Sequence, residues 1–138
     1  MNTIAAAPLP VELPTDLAVP DLLNSLADGA YITDLNRRIL CWNHAAERIT
    51  GWSAEEVVGR TCFDNILMHV DKQGCALCGQ DRCPLYRSII TGRSSTEPVL
   101  VFARRKSGLR APMEVSVGPI RDLQGQIIGG IEVFRDQT

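Results

Sequence analysis

The stretch GAYITDLNRRILCWNHAAERITGW, residues 29–52, decides the fold of this chain. Two short runs rich in aromatic and β-branched residues, 30–34 and 38–42, flank the turn residues 35–37, which predicts a β-hairpin. Asn43 can then cap a helix whose apolar positions repeat every three to four residues. The stretch therefore predicts two strands followed by a helix.

The segments before this stretch have a different composition. Four prolines lie among Ala, Leu and Val in residues 1–20. Because proline removes a donor and disfavours helix in the residue before it, we expect an extended leader there. From Asp21 a short helix is predicted, and Gly29 is placed to end it. The expected organisation is therefore a leader at 1–20 and one domain at 21–138.

Two more helices are predicted downstream from their capping residues. Ser53 and Glu56 form a capping box that begins a single-turn helix, and this helix ends by Gly59. Pro84 suits the first position of a longer helix that Gly92 closes. Helices this short depend on packing against the rest of the domain, not on propensity.

The last third of the chain is strand-like. Residues 99–104 form one apolar run, and residues 109–117 alternate apolar and polar side chains, which predicts one buried and one solvent face. Residues 126–134 form a last strand, in which Gly129 and Gly130 indicate a bulge or a close backbone approach. Two strands, several short helices and three antiparallel strands predict an α+β domain built on a five-stranded antiparallel sheet.

Composition excludes several classes of function. The 138 residues carry a formal net charge of -2, which gives no broad attraction to nucleic acid or to an anionic membrane. No apolar stretch approaches the roughly 18 residues of a membrane span, and residues 1–7 have no basic segment before an apolar one. We therefore expect a cytoplasmic chain with no membrane contact and no nucleic-acid contact. No phosphate loop or nucleophile motif is present, so no enzymatic activity is predicted.

Four of the five cysteines fall in one window, at Cys62, Cys75, Cys78 and Cys83. Clustered thiols ligate a metal, exchange electrons or form disulfides, and a reducing compartment favours the first two. Cys75 and Cys78 form a CxxC whose spacing lets two thiolates converge on one ion, with Cys83 in reach. We predict that all four gather in a redox or metal site. His69 could replace Cys62 or Cys75 as a ligand.

Ligand type alone leaves several kinds of site open at these cysteines. Four thiolates suit an iron–sulfur cluster or a tetrahedral zinc ion. Without a metal they would act as a thiol switch, in which Cys83, at the start of the predicted helix beside Arg82, is the expected reactive thiolate. Reduced cysteines without a role are the remaining alternative. We expect an iron–sulfur cluster first, with zinc or no cofactor as alternatives.

A further set of motifs is spread along the chain: 29–34, 38–39 with Asn43, 45–51, 55–60, Gly108, 112–117 and 129–136. Together these motifs resemble those of the PAS domain, a sensory module of bacterial signalling proteins, over about residues 21–138. The resemblance implies a five-stranded antiparallel sheet with short helices and one longer helix on one face. It also implies a homodimer that controls a C-terminal output domain, such as a diguanylate cyclase, a histidine kinase of a two-component system or a transcriptional regulator.

The cysteine window resembles that of a subset of PAS domains. In this subset a cysteine follows a Gly-Arg pair, as Cys62 does here, and a Leu-Cys and a Cys-Pro pair follow, as at Cys78 and Cys83. Some cysteine-bearing PAS domains hold iron–sulfur clusters. The resemblance therefore implies redox or metal sensing through this window.

Two other functions stay open beside redox or metal sensing. A PAS pocket could bind a small organic ligand or a flavin, with the cysteines incidental, and residues 59–62 resemble the start of the cysteine motif in blue-light flavin domains. Alternatively the chain could be a pure dimerisation module, with the apolar leader residues 4–19 as a contact surface.

Overall fold

The computed structural model describes residues 17–78 and 82–138, and its architecture is α+β. Five antiparallel strands form one sheet with short helices packed against it, which confirms the predicted fold class. No helix within the described ranges is long and apolar enough to cross a membrane. The elements in chain order are α1 (Val19–Asn24), β1 (Gly29–Asp34), β2 (Ile39–Trp42), α2 (His44–Thr50), α3 (Ala54–Val57), α4 (Pro84–Thr91), β3 (Val99–Arg104), β4 (Arg110–Arg121) and β5 (Ile127–Asp136).

The sheet brings the first and last strands of the domain together at its centre. The strands are ordered β2-β1-β5-β4-β3, and every neighbouring pair is antiparallel. Helix α2 packs on β1, α3 packs on β2, and α4 packs across β4 and β5. Strand β5 is therefore the middle strand of the sheet, and β1 and β4 lie on either side of it under the helices.

Helices α3 and α4 begin at the predicted residues, and α4 also ends at its predicted glycine. The Ser53 hydroxyl accepts from the Glu56 N–H at 3.2 Å, and the Glu56 carboxylate accepts from the Ser53 N–H at 2.8 Å, which completes the capping box before α3. Helix α4 begins directly after Cys83, with Pro84 in its first turn. Gly92 ends α4 in the left-handed conformation, at a φ of 72°, which glycine adopts without strain.

Asn43 connects α1, β1 and α2. Its buried side-chain oxygen accepts from the N–H groups of Ala30 and Ala46, at 2.9 and 2.8 Å. Its amide group donates to the carbonyl oxygens of Leu23 and Asp28, at 2.8 and 3.0 Å. One side chain therefore caps α2, as predicted, and also fixes the entry of β1 and the end of α1.

The start of the domain differs from the prediction. Helix α1 begins at Val19, two residues before Asp21, and it ends before Ser25, so Gly29 does not end it. Gly29 is instead the first residue of β1. A Cβ atom at Gly29 would lie 2.3 Å from the ring of Phe134 on β5, so packing across the sheet requires this glycine. Residues 1–16 of the predicted leader at 1–20 lie outside the described residues.

The paired glycines of β5 confirm the predicted close backbone approach. A Cβ atom at Gly129 would lie 2.0 Å from the Thr33 carbonyl oxygen on β1. A Cβ atom at Gly130 would lie 2.8 Å from a methyl carbon of Leu85 and 3.0 Å from Ile89, both on α4. The register of β4 against β5 also shifts at this point, which fits a bulge.

We expect Gly129→Ala to cost more stability than Gly130→Ala. The Thr33 carbonyl cannot retreat from the new methyl group without breaking the pairing of β1 and β5. The ends of Leu85 and Ile89 can rotate, so Gly130→Ala should cost about 1 to 3 kcal/mol of unfolding free energy, as overpacking does. Urea denaturation of both variants measures the difference. Equal costs would contradict the assigned close approach at Gly129.

Candidate functional site

The cysteine window forms the connection between α3 and α4, and backbone hydrogen bonds fix it to the domain. The Cys62 N–H donates to the Arg37 carbonyl oxygen at 2.9 Å, in the turn between β1 and β2. Val70 pairs with Phe102 of β3 through two hydrogen bonds, of 3.0 and 2.9 Å, and it also forms a bridge with Ala76. The connection is therefore held at both edges of the sheet.

Three of the four thiols meet in the interior. Cys62 and Cys83 are buried in the main core, and Cys78 is half-buried. A negative charge on Cys78 or Cys83 would raise the pKa of Cys62, and a charge on Cys83 would raise that of Cys78. Burial raises the pKa of Tyr31, and charges on Glu132 and on all three thiols would raise it further, so the three sulfur atoms lie within electrostatic range of this side chain.

Cys75 lies apart from this group. It is exposed, and its N–H donates to the Asp71 carboxylate at 2.9 Å. Arg82 lies beside Cys75 and forms an ion pair with Asp71 at 2.5 Å. The structure therefore brings together Cys62, Cys78 and Cys83 of the predicted set and leaves Cys75 at the surface.

Burial keeps the three interior thiols protonated. It raises the pKa of Cys78 to about 12 and that of Cys62 further still. It also raises the pKa of Cys83, although the backbone N–H groups of Leu85 and Tyr86 in the first turn of α4 oppose the shift. Burial therefore opposes the expected reactive thiolate at Cys83, because desolvation outweighs the helix terminus.

Glu132 is a buried carboxyl group at the same place. It faces inward on β5, directly across from Tyr31 on β1, and it is 2% exposed. Burial raises its pKa to about 7, against the effect of a hydrogen bond with Tyr31. Its Oε2 atom has no hydrogen-bond partner among the described residues. An unpaired polar atom in a core is costly, which makes this position a candidate contact for a bound group.

His69 lies between Glu132 and the thiols. Its Nε2 atom is 3.7 Å from Glu132 Oε2, and its backbone N–H donates to the Cys78 sulfur at 3.2 Å. Burial lowers the pKa of His69 to about 4, with the charge of Arg110 acting in the same direction. Between pH 4 and 7 both side chains are therefore neutral, and their contact is not an ion pair.

The candidate ligands do not converge on a single ion. Among the residues of 17–78 and 82–138, no three side chains of the His, Cys, Asp or Glu type are grouped so that they could hold one metal ion. The three thiols are close enough to influence one another electrostatically without sharing one centre.

Three residues of this site were missed at the sequence level: Tyr31, Arg37 and Glu132. Glu132 left a signal, since it occupies the inward position of β5 between Gly130 and Phe134, where a carboxylate interrupts an apolar face. Arg37 gave no such sequence signal, because charged residues are common in turns.

The family model for the PAS fold matches residues 19–136. The chain therefore belongs to the PAS family of sensory domains, as its motifs implied.

Part of this chain's likeness is to a probable diguanylate cyclase and to a PAS domain of known structure. The probable diguanylate cyclase DgcE of Escherichia coli K12 is 28% identical over 119 residues, which cover 84% of this chain and 10% of DgcE. The chain thus spans about a tenth of that relative's length. The PAS domain of a protein from Colwellia psychrerythraea superposes with a TM-score of 0.68 at 20% identity, covering 86% of this chain and 92% of that one.

A third relative is VqmA of Vibrio cholerae. The structure of VqmA bound to DPO superposes with a TM-score of 0.64 at 27% identity and covers 84% of this chain and 55% of VqmA. VqmA is described as a dimer and as a LuxR-type receptor with a target DNA.

Glu132 should make the free energy of unfolding depend on pH. The folded state binds the Glu132 proton more tightly than the unfolded state, whose pKa is 4.5, so stability falls as pH rises from about 4.5 to about 7. When the pH rises from about 5 to about 8, the free energy of unfolding of the wild type should fall by on the order of 2 kcal/mol more than that of Glu132→Gln, because glutamine has no proton to lose. Urea denaturation at both pH values measures this difference, and parallel losses in the two proteins would contradict it.

Proposed function

We propose that this chain is the sensory input domain of a bacterial signal-transduction protein and that it senses through an iron–sulfur cluster on Cys62, Cys78 and Cys83. One observation supports the proposal: Cys62 and Cys83 are buried in the core, Cys78 is half-buried, and all three lie within electrostatic range of the buried Tyr31. Thiolates are the ligands that iron–sulfur clusters use. The thiols are therefore of the ligand type that a cluster needs, and His69, whose backbone N–H donates to the Cys78 sulfur, is the candidate fourth ligand.

A metal-free thiol switch has less support than a cluster. The pKa values of Cys62, Cys78 and Cys83 are all raised, so few thiolates would be present at neutral pH to react with an oxidant. A metal displaces the protons as it binds, so burial is a smaller obstacle to ligation than to nucleophilic attack.

Helix α4 connects the proposed sensing site to the centre of the sheet. Cys83 directly precedes α4, and Leu85 and Ile89 of α4 pack against Gly130 of β5. A bound cluster would supply one-electron chemistry and sensitivity to oxidants. We infer that binding of the cluster to Cys83 holds the first turn of α4 in one position on β5 and that loss of the cluster lets this turn move. The movement would shift the populations of two arrangements of the domain.

The output of this input domain is proposed from the family. PAS domains commonly dimerise and are commonly joined to output domains. The likeness to DgcE over a tenth of its length supports a diguanylate cyclase as the output, with a histidine kinase or a transcriptional regulator as alternatives. We place the domain in the cytoplasm as a homodimer, without nucleic-acid contact of its own.

A second candidate function is the binding of a small organic ligand. The unpaired Oε2 of Glu132 supports it, because a ligand donor could supply the missing hydrogen bond. The likeness to VqmA, a protein solved with DPO, supports the same candidate. In that case the cysteines would be incidental, and replacing Cys62, Cys78 and Cys83 with serine would leave ligand binding intact.

The proposal predicts which cysteines hold iron. Anaerobically purified wild-type chain should contain iron and acid-labile sulfide and absorb visible light. Cys62→Ser, Cys78→Ser and Cys83→Ser should each lose most of the iron and the absorption, because each removes one ligand. Cys75→Ser is one matched control, because Cys75 is exposed, and Cys41→Ser is another, because Cys41 lies in β2 and outside the cysteine window. Both should keep the wild-type iron content.

Metal analysis and anaerobic spectra give distinct outcomes. If the wild type contained stoichiometric zinc and no iron, the cluster would be the wrong assignment and the site would be a zinc site. Wild type with neither metal would overturn the proposal. If Cys75→Ser lost as much iron as Cys78→Ser, Cys75 would also be a ligand, and the site would have the four cysteines predicted from the sequence.

A further inference from the structure

A cavity of about 400 Å³ lies beside α4 and shares no lining residue with the interior that holds the thiols. Its wall is built from one side of α4, the loop that follows this helix, and the strands β3 and β4. Three of the residues that line it are arginines, Arg82, Arg87 and Arg93, and none of the described residues that line it is acidic. A cavity of this volume is large enough for a small ligand.

Hydrogen bonds fix the loop that forms one wall of this cavity. The buried Ser88 hydroxyl on α4 donates to the Arg93 carbonyl oxygen at 2.7 Å. The Ser95 N–H donates to the Val117 carbonyl oxygen at 2.9 Å, and the Ser95 hydroxyl accepts from the Val117 N–H at 3.0 Å. The loop is therefore tied to both α4 and β4, and a preformed wall lowers the entropy that a ligand has to offset when it binds.

The end of α4 does not account for the arginines that line the cavity. Cations near the C-terminal end of a helix often satisfy its last carbonyl groups. Here the Gly92 carbonyl oxygen accepts from Arg121, which is not a lining residue, at 3.3 Å. The Ser88 carbonyl oxygen accepts from the Gly92 N–H at 2.9 Å, and that of Arg87 accepts from the Thr91 hydroxyl at 2.7 Å. These carbonyl groups are therefore already bonded without the arginine side chains of the cavity.

Two of the three lining arginines carry charge that the rest of the described chain does not balance. Arg82 forms an ion pair with Asp71. Arg87 and Arg93 form no ion pair with any residue of 17–78 or 82–138. Two cations on the wall of one concave surface attract anions more strongly than isolated surface charges do, and the planar guanidinium group matches the oxygens of a carboxylate or a phosphate.

We propose that this cavity binds a small organic anion, a carboxylate or a phosphate monoester, whose charged group contacts Arg87 and Arg93. The apolar body of the ligand lies against Val99 and Val117, which line the same cavity. Such a ligand contacts α4 and the sheet at once, so its binding favours the position of α4 in which both contacts form. This site does not depend on the proposed iron–sulfur function.

The test titrates phenyl phosphate, in a buffer without phosphate, into the wild type, Arg87→Gln, Arg93→Gln and the matched control Arg48→Gln. Arg48 is an exposed arginine of α2 that does not line the cavity, and glutamine is nearly as good a helix former as arginine. Calorimetry should show binding about tenfold weaker in Arg87→Gln and in Arg93→Gln, because each loses a charge-assisted hydrogen bond. Arg48→Gln should bind as the wild type does.

Benzoate and inorganic phosphate serve as further ligands in the same titrations. Tighter binding of phenyl phosphate than of benzoate would support the site and identify a phosphate monoester, and the reverse order would support it and identify a carboxylate. Inorganic phosphate that binds as tightly as phenyl phosphate would overturn the contact with an apolar body. Equal affinity in all three variants, or no binding of either organic anion at millimolar concentrations, would overturn the site itself.

Amide chemical shifts of the wild type locate the bound ligand without any substitution. On addition of phenyl phosphate, the largest changes should fall at residues 91–95 and at Val117. Changes confined to other parts of the chain would contradict the assignment to this cavity.

Discussion

The pairing of β1 with β5 is the constraint on which the rest of the structure depends. These strands lie near opposite ends of the domain sequence, yet they form the centre of the sheet. Their register places Tyr31 opposite Glu132 and Gly29 opposite Phe134. Two glycines make this approach possible, because a side chain at Gly29 would meet the Phe134 ring and one at Gly129 would meet the β1 backbone.

This register also brings polar side chains together in the core. Glu132 and Tyr31 face the same interior as the three thiols, and His69 and Arg37 close the space from the loop and the turn. Unpaired polar atoms on Glu132 and Arg37 lower stability, and a domain selected for stability alone would replace them with apolar side chains. Their presence next to the thiols is the physical reason to assign a function to this interior rather than to the surface.

Much of the local structure follows from short-range signals in the sequence. Asn43, the Ser53 capping box and Gly92 fix where helices begin or end, because capping satisfies backbone groups within one turn. Gly29 shows the limit of this reasoning. A glycine after a helical segment predicts the end of the helix. Gly29 is instead required by the ring of Phe134, a residue far along the chain that the sheet brings next to it.

The sequence by itself determined the family, the α+β fold and the window in which the cysteines lie. Spacing could not determine which cysteines meet: the CxxC pattern joins Cys75 and Cys78, but the turn around Asp71 holds Cys75 at the surface while Cys78 faces the core. The pairing of Tyr31 with Glu132 beneath this window, in contrast, follows only from the folded sheet. The reason is that strand register and loop anchoring, which act between distant residues, set the direction of each side chain.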